Sequence, residues 1–187
     1  ASGVEKILKD DGIFVFEEPY LGDVLEKTTY DQIYDEHVFL FSLTSVNAIF
    51  SKVNMEIFRA ERQWTHGGSM RYWLSKKGSR KIEDSVHSLI NFEQNLEIDS
   101  PMTYLRFKKS CENQKNQLLS ILEDLKSQGK RVVGYGATSK STTILNYCGI
   151  GPDQIEFICD TTPIKQGKLT PGTNIPVKAY ENFKNNY

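Results

Sequence analysis

The stretch that decides the fold is residues 131–141, which read RVVGYGATSKS. Its apolar start predicts a strand over Arg131 to Tyr135, and its glycines predict a tight turn that opens a helix reaching Tyr147. A second strand is predicted at Glu156 to Asp160, so the three elements form a β-α-β unit. The turn of such a unit directs backbone N–H groups at a phosphate. The sequence therefore predicts an α/β domain whose glycine turn has the geometry of a phosphate-binding turn.

The glycine pattern of this turn leaves two interpretations open. Gly134 and Gly136 lack the third glycine of the dinucleotide fingerprint, because Ser139 stands in its place. Asp160 lies 24 residues after Gly136, near the usual position of a ribose-binding acid. The turn either binds a nucleotide or only lets the helix pack closely against the strand. Lys140 resembles a phosphate-loop lysine only loosely, since the longer glycine spacing of that loop is missing, which disfavours ATP chemistry.

Two helices are predicted before this unit, at Ile82 to Leu96 and at Pro101 to Gln128, and Gly129 ends the second. The polar, glycine-containing segment Lys76 to Lys81 precedes them and favours a domain boundary near Gly78. We therefore expect residues 1–78 to form one domain and residues 79–187 another.

The first part of the chain also carries recognisable patterns. Thr44 to Val53 predicts a helix capped by Ser42 or Thr44. Met55 to Arg62 and Ser69 to Leu74 alternate in polarity, which predicts two antiparallel strands joined by a glycine-rich turn. A helix within the first eleven residues leads into an apolar run at Ile13 to Phe16, typical of a buried strand. Because such an arrangement continues an α/β sheet, we expect more protein before Ala1.

The segment from Tyr30 to Phe41 places an acid, a base and two phenols among apolar residues. His37 is its only side chain with an unperturbed pKa near neutrality, so the segment suits proton transfer. On a strand Tyr34 and Glu36 would share one face, whereas on a helix Tyr34 and His37 would do so. The alternative is that the aromatics belong to the core and Glu36 is a solvated carboxylate.

Composition narrows the classes of function. The 187 residues are 39% hydrophobic and 25% charged, as in ordinary soluble domains, and no apolar run approaches the roughly 20 residues that span a membrane. The formal charge of -1 disfavours a nucleic-acid partner. The three cysteines are widely spaced and form no C-x-x-C pair, which argues against disulfides and structural zinc. We expect a cytoplasmic protein without a metal site or a membrane partner.

Six motifs follow one another along nearly the whole chain. They are Tyr34–His37, Thr65–Ser69, Gly134–Ala137, Leu145–Ile150, Asp160–Gly167 and Pro171–Pro176. Together they resemble the motifs of the S-adenosylmethionine-dependent sugar C-methyltransferases. That family has an amino-terminal zinc-binding segment, a central methyltransferase domain and a carboxyl-terminal Rossmann-like domain, and its members methylate carbon three of a nucleotide-linked 4-keto-deoxysugar.

The resemblance implies an α/β fold in which the tail end of a class I methyltransferase sheet is followed by a helical connection and a Rossmann-like domain. Residues 1–78 would be the carboxyl-terminal portion of the methyltransferase domain, and residues 79–187 the Rossmann-like domain that binds the nucleotide sugar. The zinc-binding cysteines and the glycine-rich loop for S-adenosylmethionine have no counterpart here. We therefore expect a fragment of a larger enzyme that is inactive alone.

The chemistry of such a reaction assigns roles to specific residues. Methylation next to a ketone needs a base for the C–H proton and hydrogen-bond donors for the enolate. His37 is the expected base. By resemblance, Tyr34 would hydrogen-bond the enolate oxygen, and Glu36 would orient the histidine or hold a sugar hydroxyl.

Binding of the nucleotide diphosphate requires cations and helix-start amides. The expected substrate-binding residues combine the glycine turn, the lysines of a later loop and one turn histidine. They are His66, Gly134, Gly136, Ser139, Lys140, Lys165 and Lys168.

Two other functions remain open at this point. One is a non-catalytic nucleotide-sugar-binding module, and the other is a fragment of an NAD(P)-dependent oxidoreductase. The β-α-β turn together with Asp160 suggests the second. Neither function accounts for the cluster from Tyr34 to His37.

Overall fold

Residues 1–184 contain both helices and strands, and they are the part of the chain that the structure, a computed structural model, describes. The protein is α/β, as predicted. Three single-turn 3₁₀ segments lie at Tyr30–Gln32, Thr65–Gly67 and Pro163–Lys165. The regular elements are α1 (Ser2–Ile7), β1 (Phe14–Pro19), α2 (Leu21–Lys27), α3 (Leu43–Ser51), β2 (Met55–Gln63), β3 (Ser69–Lys76), α4 (Asp84–Asn95), α5 (Pro101–Ser127), β4 (Gly134–Tyr135), α6 (Ser139–Cys148), β5 (Ile158–Cys159), β6 (Val177–Lys178) and α7 (Tyr180–Lys184).

Contacts along the chain define two compact units. The first contains residues 1–29 and 36–107, and the second contains residues 30–35 and the chain from Lys108 onward. Gly78 lies in a turn after β3, inside the first unit. The division of the chain into a methyltransferase portion and a Rossmann-like domain near Gly78 stays a prediction.

The sheet of the first unit is antiparallel, with strand order β1-β3-β2. The predicted pair of antiparallel strands, β2 and β3, is confirmed. The expectation of a buried strand at Ile13 to Phe16 is wrong, because β1 is an edge strand and Ile13 and Val15 are almost half exposed. Only its alternate residues Phe14 and Phe16 pack against the core. The assignment of this sheet to the tail of a class I methyltransferase sheet stays a prediction.

Helix α3 begins at a reciprocal cap. The Ser42 hydroxyl accepts a hydrogen bond from the Ser45 amide at 3.0 Å, and the Ser45 hydroxyl accepts one from the Ser42 amide at 2.9 Å. Ser42 is therefore the cap, one of the two residues predicted for it. Leu43, Val46 and Phe50 then point from α3 into the core.

A buried carboxylate fastens α4 to the start of α3. Glu93 is 1% exposed, and its two oxygens accept four hydrogen bonds. The donors are the Tyr20 hydroxyl at 2.9 Å, the Leu43 amide at 2.6 Å, and the amide and hydroxyl of Thr44 at 2.9 and 2.6 Å. Amides at a helix start carry partial positive charge, so they compensate for removing the carboxylate from water.

The second unit contains a parallel sheet with strand order β4-β5-β6, and α6 connects β4 to β5. The predicted β-α-β unit is confirmed. The strands are two residues long, but the ladder extends beyond them, since the Glu156 amide bonds the Val132 carbonyl at 2.9 Å and the Asp160 amide bonds the Lys178 carbonyl at 3.0 Å. Leu122 of the long helix α5 packs with Leu145, Ile158 and other apolar residues in the core of this unit.

Within residues 1–184, no helix has both the length and the apolar character that a membrane span requires.

We expect Glu93→Gln to lower the free energy of unfolding by about 3 kcal/mol. An amide replaces one acceptor oxygen by a donor that faces other donors, which leaves buried polar groups unsatisfied. Denaturant unfolding followed by circular dichroism measures the loss. Glu112→Gln is the control, because Glu112 is a solvent-exposed carboxylate whose partner Lys108 lies 3.9 Å away. Equal effects of the two substitutions would contradict the role of Glu93.

Candidate functional site

The glycine turn of the second unit is held by the carboxylate of Asp160, which follows β5. One oxygen, Oδ2, accepts a hydrogen bond from the Ala137 amide at 2.8 Å and another from Lys165 Nζ at 3.2 Å. The other, Oδ1, accepts one from the Thr162 amide at 2.8 Å. Lys165 Nζ also donates to the Ala137 carbonyl at 2.8 Å. Asp160 and Lys165 together therefore fix the backbone of the turn at Ala137.

The environment of Asp160 lowers its pKa to about 2. Burial alone would raise that pKa, since the side chain is 7% exposed. Hydrogen bonds from Thr162, Lys165 and the Ala137 amide favour the ionised form and outweigh burial. Asp160 is therefore a structural anion at neutral pH.

Close packing constrains Gly134, and the backbone conformation constrains Gly136. A Cβ atom at Gly134 would lie 2.9 Å from Ile158 Cγ1 of the neighbouring strand. Gly136 has a φ of 91°, which side chains with a Cβ rarely adopt. These constraints support the interpretation in which the glycines serve close packing. A role for them in binding substrate stays a prediction.

The start of α6 is partly satisfied by its own side chains. The Thr138 hydroxyl accepts a hydrogen bond from the Ser141 amide at 3.1 Å, and the Ser141 hydroxyl accepts one from the Thr138 amide at 2.9 Å. This capping box uses two donors that an anion would otherwise contact. The amide of Ser139 is the first of the helix and has no acceptor within the helix.

A cavity of about 300 Å³ lies beside the start of α6. Ser139 and Thr142 of α6 line it on one side, and Lys165, Lys168 and Pro171 line it from the chain between β5 and β6. Three of the residues predicted to bind substrate, Ser139, Lys165 and Lys168, thus meet at one cavity.

The two lysines of this cavity differ in their partners. Lys165 forms an ion pair with Asp160. Lys168 is exposed at the cavity and has no carboxylate partner among the residues that the structure describes. We therefore expect an added anion to bind Lys168, because the charge of Lys165 is already paired with Asp160.

Other predicted residues lie away from this cavity lining. The Lys140 ammonium lies 3.9 Å from Asp31, within the same unit. His66 occupies the exposed tip between β2 and β3, where its φ of 55° is left-handed. The roles of Lys140 and His66 in substrate binding stay predictions.

The segment from Tyr34 to His37 is neither the strand nor the helix considered from the sequence. It forms a bend and a turn. Tyr34 falls in the second unit, and Glu36 and His37 fall in the first. Glu36 is exposed, and His37 Nδ1 lies 3.2 Å from Glu18 Oε2 of β1. The catalytic roles of the three residues stay predictions.

Sequence reasoning overlooked Glu18 and the structural role of Asp160. The period-two pattern of β1 places Glu18 on the same face as Phe14 and Phe16, and a carboxylate on an apolar face was the available signal. The hydrogen bond between Asp160 and the Ala137 amide joins residues 23 positions apart, so local patterns could not reveal it.

The cysteines form neither a disulfide nor a metal cluster in residues 1–184. Cys111, Cys148 and Cys159 are buried free thiols. In the same residues, no three histidine, cysteine, aspartate or glutamate side chains group closely enough to hold a metal ion.

We expect acid to remove the stabilisation that the Asp160 carboxylate provides. Because folding lowers its pKa from 3.8 to about 2, this contribution is complete above about pH 4 and is lost as the pH falls toward 2. The shift corresponds to about 2 kcal/mol in the free energy of unfolding.

Urea unfolding of the wild type and of Asp160→Asn at several pH values measures this contribution. The wild type should be the more stable at neutral pH, and the difference should shrink below about pH 4. Asp153→Asn, which changes an exposed carboxylate of the same unit, is the control. A difference independent of pH would contradict the assignment.

Comparison with known proteins identifies the family. Residues 64–187 match the family model described as the C-methyltransferase C-terminal domain. The chain is also 32% identical over 177 residues to C-methyltransferase NovU of Streptomyces niveus. The alignment covers 94% of this chain and 42% of that protein, so the chain spans less than half the length of the relative. The chain thus belongs to the C-methyltransferase family, and residues 64–187 correspond to the C-terminal domain of that family.

Proposed function

We propose that this chain is part of an S-adenosylmethionine-dependent C-methyltransferase that acts on carbon three of a nucleotide-linked 4-keto-deoxysugar through an enolate. Membership of the C-methyltransferase family is the observation that carries the proposal. The sugar, its nucleotide and a cytoplasmic location belong to the same proposal.

The proposed proton transfer uses the residues from Tyr34 to His37. The ketone at carbon four acidifies the C–H bond at carbon three, and His37 takes that proton as a general base. The electron pair of the broken bond moves into the enolate, whose oxygen accepts a hydrogen bond from Tyr34. Glu36 orients the imidazole or holds a sugar hydroxyl.

The described residues do not fit S-adenosylmethionine. In the first unit the sheet is antiparallel, and the connection from β1 to α2 is the single residue Tyr20 rather than a glycine-rich loop. In the second unit both oxygens of Asp160, the acid near the usual ribose-binding position, already accept hydrogen bonds from the chain itself. We infer that the methyl donor binds outside residues 1–184.

The cavity beside α6 is the proposed diphosphate site. Lys168 supplies a cation without a carboxylate partner among the described residues, and the Ser139 amide supplies a donor at the helix start. Lys165 acts mainly by holding Asp160 and Ala137 in place.

The geometry of Asp160 disfavours an NAD(P)-dependent oxidoreductase. A ribose-binding acid must direct its oxygens at the two hydroxyls of the ribose. Both oxygens of Asp160 instead accept hydrogen bonds from the chain itself. A non-catalytic nucleotide-sugar-binding module would use the same cavity. Only a test of the reaction therefore distinguishes that function from the enzyme.

Lys168→Met should weaken binding of thymidine diphosphate to this chain roughly tenfold, because one charge-assisted contact contributes about 1.5 kcal/mol. Titration calorimetry measures the dissociation constant. Lys130→Met is the control, since Lys130 is an exposed lysine outside the cavity lining. Equal affinity in the two variants would remove Lys168 from the site.

His37→Asn, made in a complete enzyme that contains this chain, should abolish methyl transfer while leaving the affinity for the nucleotide sugar nearly unchanged. The reason is that asparagine can hydrogen-bond but cannot take the proton at neutral pH. Product formation by mass spectrometry and calorimetric binding are the two readouts. His87→Asn, on the exposed side of α4, is the matched control. Full activity of His37→Asn would exclude His37 from the mechanism.

A further inference from the structure

Two neighbouring glutamates at the end of β1 have opposite environments. Register with β3 pairs Glu17 with Arg71 and Glu18 with Met70. Glu17 forms an ion pair with Arg71 at 2.9 Å and accepts a hydrogen bond from the Ser69 hydroxyl at 2.7 Å. The contacts with Arg71 and Ser69 on the outer face of the sheet therefore explain why Glu17 is acidic.

Glu18 lies on the other face, in line with Phe14 and Phe16. Those two rings are stacked 5.5 Å apart, and Phe16 stacks on Tyr72 at 4.8 Å. Both phenylalanines pack against the hydrophobic core. Glu18 thus places a carboxylate at the edge of an apolar face, where local preference favours another hydrophobic residue.

Tyr72 is a buried titratable group beside this face of β1 for which the charge of Glu18 matters. Tyr72 is fully buried, and its hydroxyl has no hydrogen-bond partner among the described residues. Burial raises the pKa of Tyr72, and the negative charges of Glu93 and Glu18 raise it further. The Tyr72 hydroxyl does not hydrogen-bond Glu18, so Tyr72 does not account for a carboxylate at this position.

The partner of Glu18 is His37. The distance between Glu18 Oε2 and His37 Nδ1 is 3.2 Å, and the two side chains are 37% and 24% exposed. His37 lies in a segment without helix or strand hydrogen bonds, so its backbone alone does not fix the ring. A carboxylate on a rigid strand provides that constraint.

We propose that Glu18 is the positioning residue for His37 in the proposed proton transfer. In neutral imidazole one nitrogen carries the proton and the other the lone pair. In the neutral ring, donation from Nδ1–H to Glu18 Oε2, 3.2 Å away, would keep the proton on Nδ1 and the lone pair on Nε2. Nε2 is then the atom that receives the proton from carbon three, and Glu18 sets the orientation of the ring.

This inference rests on the proposed function, which assigns the base to His37, but its first test does not depend on activity. Long-range ¹⁵N–¹H spectra of this chain report the tautomer of each histidine, and the chain has only three. We expect the Nδ1–H tautomer for His37 in the wild type. Predominance of the Nε2–H tautomer at His37 in the wild type would overturn the proposal whatever the variants do.

Variants of the two glutamates extend this test. Glu18→Ala should shift His37 toward the Nε2–H form, and Glu18→Gln should retain much of the Nδ1–H form because its amide oxygen still accepts. Glu17→Ala is the matched control and should leave the tautomer unchanged. An unchanged tautomer in a folded Glu18→Ala variant would overturn the proposal.

The second test uses the complete enzyme. Glu18→Ala should lower kcat by tenfold to a hundredfold, on the order expected for a misplaced catalytic group, with little change in KM. Glu17→Ala should change neither constant. A KM effect without a kcat effect would contradict positioning. Activity that survives His37→Asn would refute the proposed base but not the tautomer result, so the two failures are distinguishable.

Discussion

The candidate binding site depends on the hydrogen bonds that the Asp160 carboxylate accepts from the chain around it. The carboxylate joins the glycine turn after β4 to the chain after β5 through the Ala137 amide, the Thr162 amide and Lys165. Because each oxygen already accepts protein hydrogen bonds, Asp160 shapes the cavity rather than contacting a ligand there. The same pairing neutralises Lys165 and leaves Lys168 as the cation with greater capacity for an anion.

Three carboxylates of this chain illustrate how burial and partners decide what an acid does. Glu93 satisfies a helix start inside the first unit, and Asp160 fastens a turn inside the second. Glu18 pairs with a histidine at the edge of an apolar face. Glu93 and Asp160 each accept several hydrogen bonds from the chain, as structural carboxylates do. Glu18 instead pairs with a titratable side chain, which is an arrangement that proton transfer uses.

Much of the fold could be predicted from local patterns. The antiparallel strands β2 and β3, the long helix α5 and the β-α-β unit follow from alternation, caps and glycines. The position of β1 could not be predicted in this way, because a short apolar run does not distinguish an edge strand from a buried one. The conformation of Tyr34 to His37 was also inaccessible, since turn residues there lack a period.

Local patterns predicted only part of the candidate site. Ser139, Lys165 and Lys168 do meet at one cavity. The alternation of β1 places the adjacent residues Glu17 and Glu18 on opposite faces, but it does not reveal their partners, which lie far along the chain. The roles of Glu93 and Asp160 depend on contacts between residues distant in sequence, which no local pattern contains.

Exchange of hydrogen at carbon three tests the central claim most directly. A complete enzyme that contains this chain would be incubated in deuterated water with a nucleotide-linked 4-keto-deoxysugar and no methyl donor, and nuclear magnetic resonance would follow the proton at carbon three. If His37 removes that proton, deuterium enters carbon three in the wild type and not in His37→Asn. Deuterium incorporation at equal rates in both proteins would contradict the account.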